Sequence, residues 1–191
     1  MATTAILSAL EQEQSGLIAH LAQPRQVERG GRVFWLGSLH GLPVVLALSR
    51  IGKVAAETTS DFVQHDMDAS PLFPRFEIPL YQRTRFACDA RLTGLLEQAS
   101  RDALQGMPPA SAIGREPAAP AVHRGLIASG DRFIATAQTS HEVRDALRAQ
   151  AMEALAIEME GAAVAQVCHD YGIAFAAVRT VSDRADDTAH V

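Results

Sequence analysis

Residues 154–183, ALAIEMEGAAVAQVCHDYGIAFAAVRTVSD, hold the clearest succession of elements in the chain. Ala154 to Met159 is a short apolar run and predicts a strand. Gly161 to Tyr171 carries small and apolar residues at helical spacing, and Gly172 stands where a helix closes on a left-handed residue. Ile173 to Val181 is nearly all apolar, as expected of a strand buried on both faces. Strand, helix and strand in that order predict an α/β sheet covered on both faces.

Near the N-terminus, residues 4–9 (TAILSA) read as a buried strand and residues 11–21 as a helix with Leu17, Ile18 and Leu21 on one side. Residues 33–36 and 43–49 read as a hairpin, preceded by a Gly30-Gly31 turn. Residues 52–59 begin a helix. Residues 64–79 are a loop, because Pro71, Pro74 and Pro79 exclude regular ladders. Residues 91–104 form a helix, 123–129 a strand, and Thr139 with Glu142 forms a capping box opening a further helix. Residues 105–122, rich in Pro and Ala, make a connection.

Composition narrows the function. The 191 residues are 48% hydrophobic and 20% charged, with net charge −5. This is the composition of a globular chain. One lysine, Lys53, and sixteen scattered arginines form no basic stripe, so no nucleic-acid partner is expected. Cys88 and Cys168 do not make a disulfide framework, which suits a reducing, cytoplasmic location. No signal peptide is read at the N-terminus. Apolar runs of about six residues fall far short of the ~20 that a membrane helix needs, so no membrane partner is expected.

Ligands of open α/β sheets sit at the carboxyl ends of strands. The polar residues there are Glu11 and Glu13, Ser129 to Asp131, Glu158 to Glu160, and Arg179 to Asp186. In an extended strand Glu158 and Glu160 share one side, and two adjacent carboxylates need a partner. A sugar diol is one such partner; surface arginines are the ordinary alternative. Arg179 to Asp183 either works on a ligand or runs into a solvated loop. His65, Asp66 and Asp68 lack a fourth ligand at zinc-like spacing, so no metal is expected. Leu72, Phe73 and Phe76 line a pocket for an apolar substituent or simply pack beneath their loop. Cys168 is read as core packing with Val164 and Val167.

AIEMEGAAVAQVCHDYG (156–172) and AFAAVRTVSDRADD (174–187) resemble the 5′-methylthioadenosine/S-adenosylhomocysteine nucleosidases of the nucleoside phosphorylase superfamily. GLIASGDRFI (125–134), SALEQE (8–13), LSRIGKVAA (48–56) and QHDMDASPLFPRFEIP (64–79) are similar to that family in the same order. The resemblance implies a single α/β domain over 1–191, a three-layer α/β/α sandwich around a central mixed sheet. It implies hydrolysis of the N-glycosidic bond of 5′-methylthioadenosine or S-adenosylhomocysteine, releasing adenine, by a homodimer with no cofactor.

The resemblance also implies roles. Asp183 is the general acid that protonates N7 of adenine, held by Ser182. Glu13 activates water, with Arg179 nearby. Met159 and Glu160 contact the ribose, Glu160 taking its 2′ and 3′ hydroxyls, and Glu158 supports the sugar and water site. Phe133 stacks on the purine, and the Ile134 backbone bonds its edge. An oxocarbenium-like sugar needs a proton for the leaving base and negative charge near the ring, which this division supplies. Carboxylates at Glu11 and Glu13 repel phosphate and suit water, which favours hydrolysis over a purine nucleoside phosphorylase.

The pattern departs from the family in one place. The crossover, strand and Gly-rich loop that the family carries after its GKVAA helix have no counterpart between Ala56 and Gln64, since a parallel crossover needs ten or more residues. The family pattern also continues past SDRADD into a closing helix. A third reading is therefore a catalytically impaired module that binds adenosine.

Overall fold

The computed structural model describes residues 3–49, 76, 78, 81–108, 119–130 and 133–185. The chain is α/β, with a mixed sheet and four helices among the described residues. It divides into two compact units, Met1–Met67 and Asp68–Val191. Most of the 64–79 loop, including His65, Asp66, Asp68, Leu72 and Phe73, lies outside the described residues. So does the stretch between Ala56 and Gln64.

The first unit contains β1 (Thr4–Ser8), α1 (Glu11–Ala19), β2 (Ala22–Arg29), β3 (Arg32–Leu39) and β4 (Leu42–Leu48). Its sheet runs β1-β4-β3-β2, with β1 parallel to β4 and the remaining pairs antiparallel. The two hairpins turn on two residues each. Gly30 and Gly31 have φ +55° and +71°, and His40 and Gly41 have φ +50° and +80°. Two consecutive positive φ values match the right-handed twist of the flanking strands. Leu46, fully buried, packs with Leu21 and Val44 beneath Ile6, Leu17, Ile18, Trp35 and Leu39.

The strand β2, AQPRQVER, was not legible, because it lacks apolar alternation and contains Pro24; it lies at the sheet edge with nearly every residue exposed. The apolar β1 forms as expected but is buried only in part, at Ser8, with Ile6 half-buried. It pairs with β4 and ends the described order, leaving Leu7 45% exposed.

The second unit contains α2 (Ala90–Leu104), β5 (Leu126–Ser129), α3 (Ala137–Arg148), β6 (Ala154–Glu158) and α4 (Gly161–Asp170). Asp89 caps α2, its carboxylate accepting from Leu92 N–H at 2.8 Å. Helix α3 is capped by Thr136, whose Oγ1 accepts from Thr139 N–H at 3.2 Å. The cap thus lies three residues before the Thr139 that the sequence pattern suggests, because Thr139 supplies the N–H rather than the oxygen. Strands β5 and β6 are parallel, and Gly125 lets the Leu155 side chain approach where a Cβ would collide with its Cδ1. Helix α4 closes on Gly172 at φ +63°.

Residues 173–181 form no strand in the described structure, and Ile173, Val178 and Val181 are exposed. An apolar run becomes a strand only when a neighbour completes its ladder. Here the Phe175 carbonyl accepts from Asp89 N–H at 2.7 Å, which ties the segment to the start of α2. Near the end of α4, Tyr81 donates to Asp170 at 2.5 Å. The Tyr81, Phe86 and His169 rings pack with centroids 5.1 to 5.9 Å apart.

Candidate active site

The carboxyl ends of β5 and β6 and the first turn of α4 meet around one carboxylate. Strand β6 stops at Glu158 because the helix begins three residues later, at Gly161. Glu160 is therefore the residue flanking the helix start, with φ −128° and ψ −32°, and not a strand residue. The strand-alternation argument for Glu158 and Glu160 does not apply. The two carboxylates converge instead through Arg179.

Arg179 Nη2 donates to Glu158 Oε2 at 2.7 Å and lies 3.7 Å from Glu160 Oε2. The Glu158 and Glu160 side chains are only 12% and 10% exposed. An arginine is thus the partner of the pair, as in the ordinary alternative, but in a mostly covered site and not on the surface. The guanidinium fork suits two carboxylates, offsetting their repulsion and the cost of removing them from water.

Glu158 is bonded on every side. Its carboxylate accepts from Glu160 N–H at 3.0 Å and from Gly161 N–H at 2.8 and 3.0 Å. Ser129 Oγ also donates to Glu158 Oε1, and the serine oxygen itself accepts from Ala162 N–H at 2.8 Å. Two side chains, one from each strand, therefore satisfy the otherwise orphaned N–H groups at the start of α4. The site also holds its own register, since Gly130 N–H donates to the Glu158 carbonyl at 2.9 Å. Gly161 leaves room for this carboxylate: a Cβ there would lie 3.0 Å from Glu158 Oε1, closer than ordinary van der Waals contact.

The other expected residues fall as follows. Asp183 Oδ2 accepts from Ser182 Oγ at 2.7 Å, and Oδ1 accepts from Ala185 N–H at 2.8 Å, so the carboxyl is oriented by its own turn. Ile134 is buried and Met159 half-buried, while Phe133 is 55% exposed. Glu13 belongs to the first unit, in the opening turn of α1. Its Oε2 accepts from Ala9 N–H at 2.9 Å and Leu10 N–H at 3.1 Å. Negative charge is favoured there by the helix dipole. The bonding of Ser129 and the close approach of Gly161 to Glu158 are not legible from residue type. Ser129 is flagged in the sequence only by standing at a strand end.

Among the described residues no cluster of three or more His, Cys, Asp or Glu could hold a metal ion, and no helix is long and apolar enough to cross a membrane.

This geometry sits in a chain with well-defined relatives. A 5′-methylthioadenosine/S-adenosylhomocysteine nucleosidase of Aeromonas salmonicida (strain A449) is 28% identical over 212 residues, covering 93% of this chain and 84% of the relative. That span exceeds the 191 residues available here, so the relative contains segments this chain lacks. The crystal structure of the Neisseria meningitidis 5′-methylthioadenosine/S-adenosylhomocysteine nucleosidase, in complex with methylthio-immucillin-A, is 29% identical. It matches with a TM-score of 0.78 over 99% of this chain and 89% of its own. The futalosine hydrolase of Helicobacter pylori shares the fold, with a TM-score of 0.71 at 24% identity over 98% of this chain and 87% of its own. The model of the Phosphorylase superfamily matches residues 58–191, more than two-thirds of the sequence and the whole Glu158–Arg179 site, and the chain belongs to that superfamily.

Proposed function

We propose that this chain hydrolyses the N-glycosidic bond of 5′-methylthioadenosine or S-adenosylhomocysteine, releasing adenine and the 5-thioribose product. The observation that carries the reading is the Glu158–Arg179–Glu160 arrangement at a strand end, in a chain with two nucleosidase relatives at 28% and 29% identity.

Each residue has work suited to its chemistry. Glu160 takes the 2′ and 3′ hydroxyls of the ribose, since one carboxylate accepts two O–H donors, and Met159 packs against the sugar. Negative charge beside the furanose stabilises the oxocarbenium-like sugar that forms as the C–N bond stretches. Asp183, oriented by Ser182 and Ala185, gives its proton to N7 of the departing adenine. Phe133 stacks on the purine and the Ile134 backbone bonds its edge. Glu13 removes a proton from the attacking water; its two backbone bonds fall on Oε2. The acid at the base and the base at the water repeat the logic of glycosidases.

Glu158 does not meet substrate in this reading. Its acceptor capacity is taken up by Ser129, Glu160 N–H, Gly161 N–H and Arg179. It supports the sugar site, as the resemblance implies, by holding Arg179. The chain acts as one nucleosidase-like domain over 1–191, as a cytoplasmic homodimer with a small-molecule nucleoside as its partner.

The test is product analysis. Purified chain incubated with 5′-methylthioadenosine is expected to release adenine at a rate independent of inorganic phosphate, with free 5-methylthioribose as co-product. Phosphate-dependent turnover yielding a sugar 1-phosphate would replace hydrolysis with phosphorolysis. Binding of the nucleoside without adenine release would mark an impaired module.

A further inference from the structure

We propose that Ser129 is a positioning residue that sets the Glu160 carboxylate for the ribose, acting through Glu158 and Arg179. The inference rests on the nucleosidase reading and deepens it. Ser129 ends β5, while Glu158 ends the neighbouring β6. Its hydroxyl makes two bonds of opposite sense: the proton goes to Glu158 Oε1, and the oxygen accepts from Ala162 N–H at 2.8 Å. A hydroxyl is the smallest group that can do both at once.

These bonds fix one carboxylate in two directions. Glu158 is pulled toward β5 by Ser129 and toward α4 by Gly161 N–H at 2.8 Å. So held, its Oε2 meets Arg179 Nη2 at 2.7 Å, and the guanidinium stands 3.7 Å from Glu160 Oε2. Glu160 is itself tied in, since its N–H donates to Glu158 Oε2 at 3.0 Å. Ser129 thus reaches the sugar-binding carboxylate by a chain of direct contacts without meeting the substrate. Removing its hydroxyl leaves Glu158 Oε1 with only its 3.0 Å bond from Gly161 N–H, takes the acceptor from Ala162 N–H, and lets Arg179 shift toward one carboxylate at the expense of the other.

The experiment compares Ser129→Ala, Ser129→Cys and Ser129→Thr with wild type, using 5′-methylthioadenosine and its 2′-deoxy counterpart. Cysteine keeps the volume with a weak donor, and threonine keeps the hydroxyl. Ser129→Ala and Ser129→Cys are expected to lose ~10- to 100-fold in kcat/KM for the riboside, mostly in KM, the weight of a hydrogen bond to a charged group. With the 2′-deoxy substrate the loss should shrink at least ~3-fold, because part of what Glu160 grips is gone. Ser129→Thr should stay within ~3-fold of wild type. Equal losses on both substrates, or no loss, would overturn the positioning role while leaving the proposed function intact. If Ser129→Ala does not fold, the cysteine variant carries the comparison. A wild-type chain that binds nucleoside without cleaving it is compared by calorimetry, with the same ratios expected in Kd. One that neither cleaves nor binds overturns the proposed function, and the Ser129 role with it.

Discussion

Arg179 donates to Glu158 at 2.7 Å and stands 3.7 Å from Glu160, holding together two carboxylates that would otherwise repel each other in a mostly covered site. Replacing the guanidinium with an apolar chain of similar length leaves both acids unpaired. Arg179→Met is expected to lose about 1–3 kcal/mol of stability, less than for a fully buried pair because Arg179 keeps some solvent contact. Urea unfolding of the variant checks this, and an unchanged midpoint would show that the pair is not under electrostatic tension.

Gly161 and Gly94 make a matched comparison. At Gly161 a new Cβ would sit 3.0 Å from Glu158 Oε1, and that carboxylate is pinned by donors on several sides. At Gly94, inside α2, nothing lies within 4 Å. Gly94→Ala should therefore stabilise the protein by about 0.5–1 kcal/mol through helix propensity alone. Gly161→Ala should instead cut adenine release by ~10-fold or more, because a misplaced carboxylate misplaces Arg179. Thermal melts and turnover of the two variants decide the matter.

Asp183→Asn keeps an oxygen for Ala185 N–H and a polar contact for Ser182, so the turn should survive. What it removes is the transferable proton. Turnover of 5′-methylthioadenosine is expected to fall by at least ~10²-fold with the melting temperature little changed. Wild-type rates in this variant would exclude Asp183 as the acid.

The first unit depends on a small core. Leu46 has no exposed surface and packs against Leu21 and Val44. Leu46→Ala should cost about 2–5 kcal/mol from lost contact and the cavity left behind. Leu42, at 62% exposure on the same strand, should tolerate alanine within about 0.5 kcal/mol. Denaturant titrations of both variants test whether the unit is held from that one side of the sheet.

The two cysteines should label at different rates. Cys88 is exposed, whereas Cys168 is half-buried in α4, and burial pushes its thiol above the ordinary range. The thiolate is the reactive form, so a raised pKa moves the onset of alkylation to higher pH. Iodoacetamide labelling of the folded protein, followed by mass spectrometry, should modify Cys88 first, with the difference vanishing in urea. Faster labelling of Cys168 would place it at the surface.

The local elements and the available chemistry are legible in the order of the residues. The Gly30-Gly31 turn, the hairpin of β3 and β4, the helix from Gly161 and its Gly172 cap all follow from steric rules that act within a few residues. The motif around Glu158 and Asp183 likewise points to the superfamily to which the chain belongs. Whatever depends on distant partners is settled only in the folded chain. It left residues 173–181 without a ladder, placed the polar β2 in a sheet, and exposed much of the apolar β1. A hydrophobic run records what a segment can bury, and neighbouring strands determine whether it does. Arg179 and Ser129 meet Glu158 across 21 and 29 residues of chain, respectively. Spacing in the sequence carries no trace of such meetings, because they are set by where two strand ends and a helix start come together.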